Sequence, residues 1–106
     1  MRTLQSILLA TDFRPVCDDA LNAAAQLVTA FGSQVSVLHV LEDFQSSSHN
    51  FHRRKLGNML LQPVLKRLAE QQVMVAQAAI RSGPLVNTIV SVAEEWDVDL
   101  IVLGAG

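Results

Sequence analysis

The chain has 106 residues, the length of one small domain, and we assign residues 1–106 to a single domain. Half of the residues are hydrophobic and 17% are charged, which excludes an intrinsically disordered chain. The net charge of −2 argues against nucleic-acid binding, and the single cysteine, Cys17, excludes an intrachain disulfide and a cysteine-rich zinc site. No apolar run approaches the length of a membrane span, and an unpaired cysteine favours a cytoplasmic location.

The first third of the chain predicts a strand, a helix and a second strand. The compact apolar run Ile7–Ala10 predicts a buried strand, and the β-branched run Val35–Leu41 predicts another. Between them, Pro15 opens a helix that stops at Gly32. Apolar residues at helical spacing define its predicted inner face: Cys17, Leu21, Ala24, Val28 and Phe31.

A long helix is predicted from about Phe51 to Gln71, followed by a third strand at Val73–Ile80. Pro63 removes a backbone donor inside this helix, so a kink or a break is expected there. The predicted inner face consists of four residues at a spacing of four: Leu56, Leu60, Val64 and Leu68.

The turn Ser82–Pro84 starts a third helix, and Asp99–Gly104 is predicted as the fourth strand. The inner face of this helix is predicted to hold Val86, Ile89, Val90 and Ala93. The order β-α-β-α-β-α-β predicts an α/β fold with a parallel sheet and helices on both faces.

The ends of the predicted strands carry the candidate site residues. Ligands of open α/β sheets bind beyond the carboxyl ends of strands, near the point where the strand order reverses. Thr11 and Asp12 follow the first strand, Val40 closes the second, and Gly104 and Gly106 follow the fourth. An apolar wall, a carboxylate and a glycine turn that lets backbone N–H groups approach phosphate predict a nucleotide site.

Each of these features also has a plainer interpretation. Asp12 could cap the first helix, alone or in addition to binding, and Gly104 could be an ordinary glycine at a strand end. His39 lies in an apolar strand and is expected to be packed and hydrogen-bonded rather than a catalytic base, and Cys17 is expected to be an inert buried thiol. Trp96 is expected to seal the end of the third helix against the sheet.

The remaining charged residues give no catalytic or metal set. The basic residues between positions 49 and 67 could attract phosphate, but a solvated helix face is the preferred interpretation. No nucleophile with a base, no pair of catalytic carboxylates and no metal-ligand cluster is recognisable in the sequence. We therefore expect a protein that is not an enzyme and holds no metal of its own.

Four segments carry motifs in a consistent order. Residues 7–13 form a strand followed by an aspartate, and residues 35–40 look like the strand pattern x-V-x-L-x-H-V. Residues 81–84 are similar to the turn R-x-G-x-P with one residue fewer, and residues 93–104 to A-x-x-x-x-x-D-L-I-V-M-G, which is the most specific segment. With these motifs the chain resembles the universal stress protein family over essentially its whole length.

The resemblance implies a flavodoxin-like, adenine nucleotide alpha hydrolase-like fold, with an open parallel sheet in three α/β/α layers, that commonly forms homodimers. Many members bind ATP, so the implied cofactor is ATP, with Mg²⁺ only together with it. In those members the positions that match Asp12 and Val40 contact the nucleoside. Gly104 matches the first glycine of the phosphate loop G-x-x-G, and Gly106 occupies a variable position within it.

The sequence departs from the family pattern at two places. Arg14 stands where many relatives carry a serine that caps the first helix. The second glycine of the phosphate loop, the last helix and the last strand of the family have no counterpart in the 106 residues, which implies a C-terminally incomplete domain. A fourth strand left at the sheet edge is expected to cause self-association or marginal stability.

Three functions follow from these observations. The leading hypothesis is a stress-response or regulatory domain that binds an adenine nucleotide, ATP in the intact protein. The second is a nucleotide-independent module that acts through dimerisation and partner contacts. The third is a weak ATPase, which no set of catalytic residues supports.

Overall fold

The chain forms a four-stranded parallel sheet with helices on both faces, seen in a computed structural model that describes residues 4–11, 17–41, 59 and 61–103. The strands are ordered β3-β2-β1-β4, and the predicted alternation of strands and helices is confirmed. The elements in chain order are β1 (Ser6–Thr11), α1 (Cys17–Phe31), β2 (Gln34–Leu41), α2 (residues 61–70), β3 (Val75–Ser82), α3 (Leu85–Glu95) and β4 (Leu100–Leu103).

The two faces of the sheet carry separate cores. Because successive strand residues point to opposite faces, Ile7 and Leu9 pack with α1 and α2, whereas Leu8 and Ala10 pack with α3. The central strands β1 and β2 are therefore apolar on both sides. None of the helices in the described ranges combines the length and the apolar character that a membrane crossing requires.

Helix α1 packs on the sheet much as its periodicity predicts. Leu21 and Ala24 are buried, and Val28 packs against the core at its edge. Gly32 adopts a positive φ of 68° and donates its N–H to the carbonyl of Val28 at 2.7 Å, which ends the helix. The predicted burial of Phe31 is wrong, because 57% of this residue is exposed.

Helix α2 buries Leu61 and Leu68, and Val64 packs at the edge of the same core. The chain is helical at residue 59 and over residues 61–70, so the helix is not broken at Pro63. The predicted start of this helix near residue 51, and the predicted inner residues Leu56 and Leu60, lie outside the described residues.

Strand β3 begins two residues later than predicted. Val73 is buried and donates its N–H to the carbonyl of Leu68 at 2.9 Å, so it closes α2 instead of opening a strand. Gln72 has a positive φ of 62° at this turn. Between Val35 and Ser36 the β2–β3 register shifts by one residue, and Ala76 is left without a partner on β2.

Helix α3 presents a different face to the sheet than the sequence predicts. Ile89 and Val92 are the buried residues of this helix. Val86 and Val90 are 69% and 46% exposed, so their predicted inward position is wrong. Trp96 packs against the buried cluster beneath α3, and this fixes which side of the helix faces inward. The prediction that Trp96 seals the end of the helix is confirmed.

Candidate functional site

The strand order reverses between β1 and β4. From β1 the chain moves to β2 and then β3 on one side, whereas β4 pairs with the other edge of β1. Crossovers that start in opposite directions leave a crevice beyond the carboxyl ends of the two strands at the reversal. Ala10 pairs with Leu103 at this end of the two strands. The rule for open α/β sheets therefore predicts a ligand crevice at this edge, which we call the carboxyl edge of β1 and β4.

The structure brings two of the predicted residues to this edge. Thr11 is the last residue of β1 and pairs with His39, so the next residue along β2, Val40, lies at the same level of the sheet. Val40 is 9% exposed and belongs to the buried cluster beneath α3. The predicted residues Asp12, Gly104 and Gly106 lie outside the described residues.

An apolar surface borders the crevice on the side of α3. Paired residues of parallel strands point to the same face, so Leu103 shares the face of Ala10. Ala10 and Val40 are buried there, whereas Leu103 is 55% exposed. A flat apolar group such as a nucleobase could cover the exposed part of this surface.

A polar cavity of about 410 Å³ adjoins the same end of the sheet, between β3 and α3. Arg81 pairs with Val40 in the sheet and lines the cavity together with Ser82 and Thr88. The sequence pattern predicts only a turn at residues 81–84, and this cavity was missed. The signal that was available is the polar run on α3, since Asn87, Thr88 and Ser91 are three and four residues apart and share one face.

Arg81 is held in a defined position by α3. Its guanidinium donates hydrogen bonds to the Glu95 carboxylate at 2.8 and 3.4 Å and lies 5.9 Å from the centre of the Trp96 ring. The hydrogen bond and the charge of the guanidinium lower the pKa of the Glu95 carboxyl from its ordinary value, and Glu95 in turn raises the pKa of Arg81. Both groups are partly exposed, so this contact orients Arg81 more than it stabilises the fold.

The other residues considered from the sequence have plain positions. His39 is half-buried in β2. Within the described ranges, no group of three or more His, Cys, Asp or Glu residues is placed to hold a metal ion. The expected burial of the Cys17 thiol concerns a side chain outside the described part of the structure.

The model of the universal stress protein family matches residues 3–106, which is nearly the whole chain. The chain belongs to the universal stress protein family. A comparison with curated protein sequences finds no significant match.

Solved structures of universal stress proteins share the fold. A universal stress protein family protein from Burkholderia pseudomallei is 22% identical with a TM-score of 0.79, and the match covers 96% of this chain and 82% of that one. A universal stress protein in complex with cAMP is 16% identical with a TM-score of 0.73, covering 94% and 71%. A family member from Arabidopsis thaliana with AMP bound is 19% identical with a TM-score of 0.69, covering 95% and 76%. At these identities the likeness establishes the universal stress protein fold.

Proposed function

We propose that this universal stress protein domain binds an adenine nucleotide at the carboxyl edge of β1 and β4 and serves a stress-response or regulatory role in the cytoplasm. The observation that carries the proposal is the reversal of strand order between β1 and β4, with Thr11 and Val40 at the same edge. Two proteins with the same fold hold cAMP and AMP, which supports the adenine class of ligand.

The proposed contacts divide between the base and the phosphates. Val40 and Leu103 supply the apolar wall against which the base packs. Val40 is buried, whereas Leu103 is 55% exposed. Asp12 accepts hydrogen bonds from the sugar or the base, and the backbone N–H groups around Gly104 and Gly106 approach the phosphates. ATP is the proposed ligand, with Mg²⁺ accompanying it on the phosphates rather than as a resident metal of the protein.

The test is a calorimetric titration of the 106-residue chain with ATP and with AMP. Asp12→Ala is expected to weaken binding about tenfold, because a hydrogen bond to a charged group is lost. Asp19→Ala, which removes the same charge from an exposed position on α1, is the matched control and is expected to bind like the parent. Failure to bind any adenine nucleotide would overturn the proposal, and equal affinity of both variants would remove Asp12 from the site.

We propose binding rather than turnover as the chemical role. The candidate residues supply an apolar wall, hydrogen-bond acceptors and backbone donors, which hold a nucleotide without attacking its phosphates. Phosphate release from ATP measured over hours is expected to stay at the level of the buffer. A rate that saturates with ATP and falls in Asp12→Ala would establish a weak ATPase instead.

A second candidate function is self-association, and the exposure of β4 favours it. β4 lies at one edge of the described sheet, and Leu100 and Leu103 on it are 38% and 55% exposed. An apolar edge strand presents backbone groups and side chains for pairing with a second copy. Sedimentation of the chain is expected to show a homodimer that Leu103→Lys weakens. A monomer at all concentrations would exclude this function.

A further inference from the structure

Helix α3 carries apolar residues beside its buried side, and two of them are largely exposed. Val86 and Val90 are four residues apart and Ala93 follows three residues later, so the three lie on one side of the helix. Val86 is 69% exposed and Val90 is 46% exposed, whereas Ala93 is half-buried. We call these three residues the α3 apolar face. Large apolar residues exposed one turn apart are typical of a surface that packs against another helix.

The charges of α3 are distributed against its helix dipole. The helix, which is described over its full length, has no acidic residue in its first turn and no basic residue in its last turn. Pro84 precedes its first turn without a side-chain hydrogen bond to the free N–H groups. Glu94 and Glu95 lie in the last turn, where the partial negative charge of the helix end disfavours acids. The start of α3 is therefore positive and its end negative.

The two acids of the last turn differ in their surroundings. Glu95 is paired with the Arg81 guanidinium at 2.8 Å on the side of β3. Glu94 is exposed and follows Val90 by four residues, so it borders the α3 apolar face. An exposed acid at the negative end of the helix, beside exposed valines, is unfavourable in a single copy of the chain and calls for a positive partner.

We propose that the α3 apolar face is an interface with a second copy of this chain, in which the two α3 helices pack antiparallel. A two-fold axis at Val90 places Val86 opposite Glu94 of the second copy, so each Glu94 reaches the first turn of the other helix. The free N–H groups of that turn carry partial positive charge, which an acid stabilises. Parallel packing would instead bring the two Glu94 side chains together, so the charges favour the antiparallel pair.

This contact goes beyond the nucleotide site and the edge of β4, and it rests on neither. Helix α3 has 11 residues and is about 16 Å long. A pair of such helices lies at the low end of interface sizes, below about 1,200 Å². We therefore expect a weak, reversible dimer with a dissociation constant between about 1 µM and 1 mM.

Sedimentation equilibrium of the chain that carries Leu103→Lys separates this contact from pairing at the edge of β4. A monomer–dimer equilibrium is expected in this background. Adding Val90→Lys is expected to weaken the dimer at least about tenfold, because two ammonium groups would meet at the axis. Ser91→Lys adds the same charge to an exposed residue on the other side of α3, and it is expected to change the affinity by less than about twofold. Circular dichroism checks that each variant is folded.

Two further substitutions in the same background test the orientation of the helices. Val86→Lys places an ammonium group beside Glu94 of the second copy, so the affinity is expected to stay within about threefold of the background. Glu94→Gln removes the acid from both helix starts and is expected to weaken the dimer about fivefold. Glu70→Gln removes an exposed acid of α2 and is the matched control, with a change below about twofold.

Three results would each overturn the proposed helix pair. The first is a Leu103→Lys chain that stays monomeric at about 1 mM, which would leave the edge of β4 as the surface of any dimer of the parent. The second is equal weakening by Val90→Lys and Ser91→Lys. The third is equal weakening by Val86→Lys and Val90→Lys, which would contradict the antiparallel orientation. The ATP affinity of the Val90→Lys chain is expected to equal that of the parent, so failure of the helix pair and failure of nucleotide binding are distinguishable.

Discussion

Asp99 ties the start of β4 to the start of β1, and replacing it tests how much this tie contributes. Its Oδ2 accepts the backbone N–H groups of Gln5 and Ser6 at 2.9 and 3.1 Å, and its own N–H donates to the carbonyl of Ser6 at 2.8 Å. In Asp99→Ala the last bond remains, because it is made by the backbone. The two bonds to the carboxylate are lost, and two backbone donors lose their acceptor.

The expected loss follows from the number and exposure of these bonds. A hydrogen bond to a charged group contributes about 1.5–3 kcal/mol when it is buried. The donor of Gln5 is exposed and that of Ser6 is part-buried, so water replaces some of the loss. We expect Asp99→Ala to lower the free energy of unfolding by about 2 kcal/mol, which in a domain of this size lowers Tm by about 10 °C. Asp99→Asn keeps an oxygen acceptor without the charge and is expected to lose about half as much.

Urea unfolding followed by the fluorescence of Trp96 measures this change. Glu94→Ala is the control, since this exposed acid is expected to change stability by less than about 0.5 kcal/mol. The slope of the unfolding free energy against urea should be the same in all variants, which shows that the unfolded states are comparable. A loss below about 0.5 kcal/mol for Asp99→Ala would refute the reasoning that the carboxylate joins the two strands.

Two further predictions concern the turn before α3 and its last residue. Gly83→Ala is expected to lower the free energy of unfolding in urea by about 2–3 kcal/mol, because φ is 145° and a Cβ would meet the Thr88 hydroxyl at 2.7 Å. Gly32→Ala is the control, since a Cβ there would have nothing within 4 Å, and it is expected to cost about 1 kcal/mol. Equal costs of the two substitutions would contradict the contact with Thr88. The hydrogen bond from Arg81 lowers the folded-state pKa of Glu95, so its contribution is present above the ordinary value of 4.5 and is lost as the pH falls through the lowered value. Glu95→Gln is therefore expected to differ from the parent at pH 7 and to converge with it in acid, and a constant difference across that range would contradict the pairing.

The two central strands could be predicted well because burial on both faces leaves a direct trace in the sequence. Ile7, Leu8 and Leu9 are all nearly inaccessible, so their strand is a continuous apolar run. The edge strand β3 has exposed alanines and a glutamine, and its pattern does not distinguish Val73, which closes α2, from Val75, which opens the strand. A strand that is exposed over most of its length, as β3 is, leaves neither a continuous apolar run nor a clear alternation.

The position of Arg81 could not be predicted because it depends on a one-residue irregularity. The register between β2 and β3 passes from Val35–Val75 to Ser36–Gln77, so Ala76 is bulged. A slip of one residue exchanges the two faces of a strand. Arg81 therefore points to the side of α3, where it meets Glu95 and lines the polar cavity. Nothing in the local sequence marks this bulge.

The reversal of strand order between β1 and β4 could be predicted only as a general rule. The sequence gives the order of the elements along the chain but not the order of the strands in the sheet. Thr11 and Val40 were expected at the carboxyl ends of their strands, and the structure places both ends at one edge. Their roles in binding stay predictions, as do those of Asp12, Gly104 and Gly106.

The pairing of β1 with β4 also has a consequence for synthesis of the chain. Ile7 pairs with Leu100, so one edge of β1 has no partner until the ribosome has synthesised β4. At about 5–20 residues per second, this delay is about 5–20 seconds, during which the nascent chain exposes an unpaired apolar strand. Ribosome-bound chains stalled before residue 100 are expected to show rapid amide hydrogen exchange along that edge of β1, and slow exchange there would show that another segment protects it. A holdase that binds extended apolar segments would find its target there during translation.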